Sequence, residues 1–420
     1  MIVGATKRVR FWNKPRERER GGERPKHEVA EILRAYLGEY EKKYKLSYRQ
    51  RCVVNNILAC RTAALGGYIR MCDKCGKTEI AYVPCKDRHC PKCGAFEKAQ
   101  WLEEQKRWLL PIHYYHVVFT IDHVFNRLVW RNKKKLYNML CRVAAKVLKA
   151  YGKRYLGGEI GFTMVLHTWG QRIQEHPHVH TIVTGGALVK GEDGYRWRAG
   201  KKSYMLPATD FSAEFRDAFC AALEKKWREG EFETGDGEVD VEAMLAEARS
   251  KKWEVYIQAP KGKTWDLLDY LGRYIFRIAI SNHRIVDVAD GKVTFEYYDN
   301  EDDGKLKEMT LTAVEFIRRF LQHVLPKHFQ RIRHYGLHHP ACKEKLAAAR
   351  EALGGSRSGP KIEKLKMGAW LEEILGKDPS KCPYCGEGKM IELRRFGPIE
   401  AWRLKFAPLV GLIYRWGLAI

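Results

Sequence analysis

The sequence predicts a protein of the α+β class, and three observations support this prediction. Segments 161–169 and 175–186 carry strand patterns and are separated by a short turn, so they are expected to form an antiparallel hairpin. A β-rich run at 113–121 and a basic helical pattern at 128–151 precede this hairpin. Cysteine pairs separated by two intervening residues are typical of a zinc-binding module.

The composition points to a polyanionic partner. The chain has 420 residues, with 76 Lys and Arg against 51 Asp and Glu, which gives a formal net charge of +25. Such an excess most often serves binding to nucleic acid. No signal peptide and no apolar run of about 18 residues is visible, so we expect no membrane partner and a cytoplasmic, nucleoid-associated location. In a reducing compartment the 12 cysteines favour metal binding over disulfides.

The amino-terminal third is predicted to be helical and to bind zinc. Apolar residues recur at helical spacing between 27 and 65. Two Cys-x2-Cys pairs follow, each succeeded by glycine, and they are predicted to hold one structural zinc ion through Cys72, Cys75, Cys90 and Cys93. Cys85 and His89 lie between the pairs and rank lower as ligands. A site closed by four thiolates supports folding and is not expected to be catalytic.

A second zinc site is a candidate near the carboxyl terminus. Cys382 and Cys385, followed by glycine, supply half of such a site, and Cys342, His338 or His339 could complete it. The alternative is a reduced turn without metal. Further upstream, the pattern Thr312-x-x-Glu315 is a capping box that opens a basic helix.

The hairpin carries candidate metal ligands. His176, His178 and His180 alternate along one strand, so their imidazoles are expected on one side of it. Neutral imidazole is the commonest metal ligand in proteins, although His-x-His alone is more often the polar face of a half-exposed strand. The facing strand can bring His167 or Gln171 to the same face, and the register between the strands is not readable from the sequence.

A helix predicted to begin at Trp265 carries two tyrosines. Tyr270 and Tyr274 are four residues apart and therefore lie on one face, which they share with arginines. The arginines Arg273 and Arg277 are candidates for binding DNA phosphate. The alternative is that both tyrosines only cover the edge of the core. A phenol assisted by a nearby divalent cation can attack a phosphodiester and form a phosphotyrosine ester that is able to rejoin a strand.

Taken together, these residues resemble the two-tyrosine rolling-circle insertion-sequence transposases of the insertion-sequence-ninety-one type, within the histidine-hydrophobe-histidine (HUH) endonucleases. The resemblance extends over about 60–340. It is carried by Cys-Arg-Thr-Ala-Ala-Leu-Gly-Gly (60–67), the cysteine pairs (72–93), His-Val-Val-Phe-Thr (116–120), His-Thr-Trp-Gly-Gln (167–171), His-Pro-His-Val-His (176–180), Tyr-Leu-Gly-Arg-Tyr (270–274), Ala-Ile-Ser-Asn (279–282) and Arg-Ile-Arg-His-Tyr-Gly (331–336).

The resemblance implies specific roles. His178 and His180 would bind a catalytic Mg²⁺ or Mn²⁺, with Gln171 as the preferred third ligand and His167 as the second choice. Tyr270 and Tyr274 would be the nucleophiles. The implied fold is a small antiparallel sheet with flanking helices, in which the histidine strand is central and the tyrosine helix packs beside it.

The implied organisation has four parts. They are a basic and disordered arm (1–27), a helical zinc-binding domain that binds DNA (28–110), an HUH catalytic domain (111–300) with a helical insertion at about 209–252, and a basic carboxyl-terminal region (301–420) with the candidate second zinc knuckle. Expected partners are single-stranded DNA at element ends and targets, together with a host helicase and replication machinery, since no nucleotide-binding Gly-x4-Gly-Lys loop is present. Alternatives are a plasmid or phage replication initiator and a non-catalytic zinc protein that binds nucleic acid.

Overall fold

The structure is a computed structural model that describes residues 24–93, 104–105, 108–201, 208–235, 239–258, 278–359, 378 and 380–398. The chain divides into two compact units. The first comprises Met1–Ala95, Ile280–Ile317 and Glu363–Ile420, and the second comprises Phe96–Ala279 and Arg318–Ile362. The described part of the predicted carboxyl-terminal region, 301–420, therefore belongs partly to each unit. Nearly all of the predicted arm and most of the predicted tyrosine helix lie outside the described residues.

The described helices and strands confirm the α+β class. The helices are α1 (Val29–Lys43), α2 (Tyr48–Ala59), α3 (Asn126–Arg131), α4 (Lys133–Leu156), α5 (Ala208–Arg228), α6 (Val241–Ser250), α7 (Ala313–Gln322) and α8 (Lys343–Ala352). The strands are β1 (Gly67–Cys72), β2 (Thr78–Tyr82), β3 (Tyr114–Thr120), β4 (Gly161–Trp169), β5 (Glu175–Thr184), β6 (Gly186–Gly191), β7 (Gly194–Ala199), β8 (Val255–Gln258), β9 (Ile285–Ala289), β10 (Lys292–Asp299), β11 (Lys305–Thr312), β12 (Ile332–Gly336) and β13 (Met390–Phe396). No helix among the described residues has the length and apolar character needed to cross a membrane.

The first unit begins with two capped helices and contains two antiparallel sheets. At the start of α2 the hydroxyl of Ser47 accepts from the amide of Gln50, and the Gln50 side chain accepts from the amide of Ser47. One sheet has the strand order β13-β1-β2, and the other has the order β11-β10-β9. The predicted cap of α7 is present, because the hydroxyl of Thr312 accepts from the amide of Glu315. The described carboxyl-terminal strand thus pairs with the amino-terminal sheet.

The second unit is built on a five-stranded antiparallel sheet with the order β12-β4-β5-β3-β8. The predicted hairpin is confirmed as β4 and β5, and the histidine strand β5 occupies the middle of the sheet, as the resemblance implied. The predicted insertion forms α5 and α6. Its phenylalanines pack on the sheet, with the ring of Phe215 centred 4.9 Å from that of Phe119 in β3.

The basic helix predicted at 128–151 is divided in two. Asn132 interrupts it between α3 and α4 with a non-helical backbone, with φ of −121° and ψ of 35°. Its side-chain amide donates to the carbonyl groups of Leu128 and Glu233, and its oxygen accepts from the amide of Glu233. These three bonds occupy a buried asparagine side chain, whose tendency to bond to the local backbone competes with helix continuation.

The two faces of the sheet differ in chemistry because side chains alternate along each strand. One face belongs to the apolar core of the second unit, through Val117, Phe119, Val179 and Val183 among others. The opposite face carries buried polar side chains, which are His116, Thr163, His167, His178, His180 and Thr184. Because its polar side chains are buried, this face is the candidate functional site of the second unit.

Candidate metal centres

Three histidines meet on the polar face of the sheet. The register places His167 of β4 directly opposite His178 of β5. The ligand atoms of His167, His178 and His180 all lie within 4.8 Å of one another, and these three residues are at most 9% exposed. His176 lies beside His178, with ring centroids 4.9 Å apart, but it is exposed and is not part of this histidine cluster.

Hydrogen bonds orient the two histidines of β5. The Nδ1 of His178 lies 2.6 Å from the carbonyl oxygen of His176, which can only accept, so His178 carries its proton on Nδ1. Its Nε2 therefore presents a lone pair, 3.1 Å from the Nε2 of His180. About 3 Å is the separation expected between neighbouring ligands of an octahedral ion with bonds of about 2.1 Å.

His116 of β3 is a fourth buried histidine, and the sequence motifs gave it no role. Its Nε2 lies 2.9 Å from the Nδ1 of His180, and the two rings stack with an angle of 4° between their planes. Two tautomers of His180 fit these contacts. In one, the Nε2 proton of His180 is donated to His178. In the other, the Nδ1 proton is donated to His116, and the Nε2 lone pairs of His178 and His180 face each other, as binding a cation requires.

Burial keeps His178 and His116 neutral. Removal from water lowers the pKa of His178 to about 3, with a smaller contribution from the neighbouring His176. Burial likewise lowers the pKa of His116 to about 4. Neutral imidazole is the form that binds metal. The donor set therefore fits a divalent cation, and three protein ligands leave positions for other ligands.

The predicted third ligand lies in a different environment from the histidine cluster. Gln171 is in the turn between β4 and β5, beyond the pair formed by Trp169 and Glu175, whereas His167 faces His178. The ring of Trp169 stacks on His167 with centroids 4.9 Å apart. The arrangement thus favours His167, which was the second choice from the sequence.

The same turn is fixed by the end of α7 and the residue that follows it. The carbonyl of Ile173 accepts from the Gln322 side chain and from the His323 ring, each at 3.0 Å, and Arg319 donates to the carbonyl of Arg172 at 3.1 Å. Ile173 is fully buried with φ of +59°, a strained conformation for a β-branched residue. These contacts hold the turn in one conformation.

The candidate nucleophiles Tyr270 and Tyr274, with Arg273 and Arg277, fall outside the described residues. The preceding strand β8 ends at Gln258, which pairs with His116. The Tyr256 ring, also in β8, has its centroid 6.4 Å from that of His116.

Eight cysteines form two clusters in the first unit, and this corrects the predicted zinc site. Cys90 and Cys93 cluster with Cys60 and Cys85, whereas Cys72 and Cys75 cluster with Cys382 and Cys385. The prediction that Cys72, Cys75, Cys90 and Cys93 share one site is therefore wrong. The physical reason is that β13 pairs with β1 and brings the distant cysteine pair to the end of the sheet.

The local cluster combines one cysteine pair with two single cysteines. The Sγ of Cys93 lies 3.4 Å from that of Cys60 and 3.7 Å from that of Cys85. The sequence pattern does not single out Cys60 as a ligand, since it has no Cys-x2-Cys partner, and it ranks Cys85 below the paired cysteines. His89 instead contacts Asp87, with its Nδ1 2.8 Å from a carboxylate oxygen.

The residues proposed to complete the carboxyl-terminal site have other partners. His338 bonds to the hydroxyl of Thr163, the thiol of Cys342 donates to Glu159, and the Nδ1 of His339 accepts from the amide of Ala341. None of the three belongs to the cysteine clusters found among the described residues.

Comparison with known proteins places the chain in a family. The family described as "Putative transposase" matches residues 161–345, and the "Transposase zinc-binding domain" matches residues 32–121. A relative named "Putative transposase y4qJ", from Sinorhizobium fredii, is 41% identical over 394 residues, covering 89% of this chain and 98% of that protein. The "Transposase for insertion sequence element IS801", from Pseudomonas savastanoi, is 28% identical over 351 residues, covering 79% of this chain and 81% of that protein.

No solved structure matches the chain. The zinc-binding match contains the local cluster at 60–93, and the transposase match contains the histidine hairpin. The chain therefore belongs to the IS91-type family of DNA transposases and carries their amino-terminal zinc-binding domain.

Proposed function

We propose that this transposase nicks and rejoins single-stranded DNA through 5′-phosphotyrosine intermediates, and so drives rolling-circle transposition. The observation that carries the proposal is the buried cluster of His167, His178 and His180 on the middle strands of the sheet. An apolar face would serve stability equally well, so the burial of several imidazoles at this position is best explained by a bound cation.

His178, His180 and His167 would hold a divalent cation. When bound, the cation would polarise the scissile phosphate and stabilise the charge that develops there. Of Mg²⁺ and Mn²⁺, a set of imidazoles favours Mn²⁺, because Mg²⁺ prefers oxygen ligands. The sheet orients the rings in advance, and His116 holds His180 in position.

The covalent step is assigned to Tyr270 and Tyr274. The phenol oxygen attacks phosphorus, the bond from phosphorus to the 3′ oxygen breaks, and the phenol proton is transferred to that oxygen, leaving a 3′ hydroxyl and a 5′-phosphotyrosine ester. The reverse reaction with a new 3′ hydroxyl rejoins the strand without ATP. One tyrosine would cleave the donor strand, and the other would act at termination or at the target.

The position of β8 supports this assignment. Gln258, its last residue, pairs with His116, and Tyr270 follows 12 residues later (270 − 258). A chain of that length spans at most about 40 Å, which is long enough for Tyr270 to reach the histidine face. Arg273 and Arg277 are proposed to bind DNA phosphate, which the net charge of +25 also favours.

The experiment is a cleavage assay with a single-stranded oligonucleotide that carries the element end and a 5′-side or 3′-side label. We expect a divalent-dependent covalent protein adduct on the 5′ end, which is absent in the double variant Tyr270→Phe/Tyr274→Phe. Tyr48→Phe is the matched control, since Tyr48 is 82% exposed, and it should form the adduct normally. If the double variant still forms the adduct, the assignment of the tyrosines is wrong.

A replication initiator would use the same chemistry, but the relatives are named as transposases, so no observation favours it. A non-catalytic zinc protein would retain the zinc and DNA-binding properties and show no cleavage with or without a chelator. A host helicase is proposed as a partner, since the sequence contains no nucleotide-binding loop.

A further inference from the structure

We propose that Cys72, Cys75, Cys382 and Cys385 bind a second structural zinc ion, which fastens the carboxyl-terminal segment to the amino-terminal zinc-binding domain. These residues lie within one compact unit and form one of the two four-cysteine clusters among the described residues. The zinc-binding family match ends at residue 121, so it does not include Cys382 or Cys385. The inference does not depend on the proposed nuclease chemistry.

The distances between sulphur atoms fit zinc. Cys72 and Cys385 have their Sγ atoms 3.7 Å apart, and so do Cys75 and Cys382. Four sulphurs at about 2.3 Å from a tetrahedral zinc ion are separated by about 3.8 Å. A disulfide needs about 2.0 Å, so the observed spacing corresponds to metal ligands.

The two cysteine pairs have the same backbone geometry. Each pair is followed by a glycine with a left-handed backbone, with φ of +70° at Gly76 and +73° at Gly386. The amide of each glycine donates to the carbonyl of the first cysteine in its pair, at 3.1 Å for Gly76 and 2.9 Å for Gly386. Two such turns facing each other form the two halves of a zinc ribbon.

Backbone amides are directed at the sulphurs. The amides of Lys74 and Cys75 each lie 3.4 Å from the Sγ of Cys72, and the amide of Gly388 lies 3.4 Å from the Sγ of Cys385. Donation from an amide stabilises a thiolate, which is the form that binds metal. The site therefore compensates the negative charge of its ligands.

The surrounding sheet holds the two halves together. β1 pairs with β13 along its length, and Cys72 lies opposite Met390. The amide of Lys389 donates to the carboxylate of Asp73 at 2.7 Å, and the amide of Asp73 donates to the carbonyl of Lys389 at 3.0 Å. Cysteines some 300 positions apart in sequence are thus held at ligand distance, and the domain is complete only when the carboxyl-terminal segment joins it.

Zinc content tests the proposal. We would measure zinc by mass spectrometry of the full chain in a His178→Ala/His180→Ala background, in which the histidine cluster cannot contribute. We expect two zinc ions per chain, and one after adding Cys382→Ser and Cys385→Ser. The matched control Cys342→Ser, outside both clusters, should keep two. One zinc ion in the parent, or two in the Cys382→Ser/Cys385→Ser protein, would overturn the proposal.

A second measurement uses the wild-type chain and avoids variants that fail to fold. Cys75 and Cys385 are exposed, so without a metal their thiols would react readily with iodoacetamide. We expect peptide mapping to show both protected, and to become alkylated together with Cys72 and Cys382 once a strong chelator removes zinc. Alkylation of Cys75 and Cys385 before chelation, or protection that only a reductant removes, would contradict the zinc site.

Discussion

The cysteine clusters and the histidine cluster differ in the number of metal ligands that they offer, and therefore in the role that a bound metal can have. Each cysteine cluster offers four sulphurs, a number that fills the coordination of zinc and leaves no position for substrate. The histidine cluster offers three imidazoles on adjacent strands of a sheet, and three ligands leave positions at which a phosphate can bind. The first arrangement suits a structural role, and the second suits catalysis.

The supporting contacts differ in the same way. The cysteine clusters lie in turns whose amides donate to sulphur, so folding of the turn and metal binding depend on each other. The histidines are placed by strand register and by bonds from His178 to its own strand and from His180 to His116. Their geometry should therefore persist without metal. The following predictions test this difference, from the largest expected effect to the smallest.

Removing a ligand of the local cysteine cluster should have the largest effect. Cys90→Ser is expected to lose one zinc ion and to unfold the amino-terminal helices, because zinc binding contributes of the order of 10 kcal/mol to folding in zinc-finger peptides. Zinc content and thermal unfolding by circular dichroism measure this. Cys52→Ser, outside both clusters, is the control, and equal stability of the two variants would refute the structural role.

Removing a histidine ligand should abolish cleavage without unfolding the chain. His178→Ala is expected to reduce the rate of DNA cleavage by at least about 1,000-fold, equivalent to about 4 kcal/mol, while zinc content and thermal unfolding change little. His176→Ala is the matched control on the same strand, because His176 is exposed and lies outside the cluster. Loss of activity in both variants would argue against a specific role for His178.

Replacing His116, which contacts the proposed ligand His180, should have an intermediate effect. His116→Ala is expected to weaken Mn²⁺ binding by about 10- to 100-fold, because His180 loses the acceptor that favours its metal-binding tautomer. Electron paramagnetic resonance measures the affinity directly. His116→Gln keeps an acceptor and should recover part of the loss, whereas a purely packing role for His116 predicts no recovery.

Substituting Gly388, a glycine packed closely against a cysteine ligand, should have the smallest effect. A Cβ on Gly388 would lie 2.3 Å from the Sγ of Cys72, while a Cβ on Gly397 would meet no atom within 4 Å. Gly388→Ala is expected to speed zinc release to a chromogenic chelator severalfold, since all four thiols remain but one must move. Gly397→Ala should release zinc at the wild-type rate, and equal rates for both variants would show that Gly388 does not constrain the site.

Local pattern was enough to predict the strands and helices around the histidine site. The strand patterns at 161–169 and 175–186 predicted β4 and β5, and helical periodicity predicted α1 and α2. The break at Asn132 was not predicted, because it depends on a side chain that bonds to Glu233, about 100 residues away. Local periodicity does not contain such contacts.

Contacts between residues that are distant in the sequence were likewise not predictable from local sequence patterns. The resemblance favours Gln171 over His167 as the third ligand, whereas the structure favours His167, because the choice depends on a strand register that the sequence does not give. Cys75 was grouped with its nearest neighbouring pair, while its actual partners lie beyond residue 380. A clue was present in the repeated Cys-x2-Cys-Gly pattern at 72–76 and 382–386. His116 could have been identified from the alternation of side chains in β3, which places it on the same face as His180.

In the proposed function, the histidine cluster holds an exchangeable catalytic cation, while the cysteine clusters hold structural zinc. The most direct measurement is covalent adduct formation on single-stranded end DNA after brief treatment of the wild-type chain with EDTA, with zinc content measured in the same sample. We expect cleavage to be lost while zinc is retained, and adding Mn²⁺ to restore the 5′-linked adduct. Full cleavage without any added divalent cation, with zinc still bound only to the cysteines, would contradict the account.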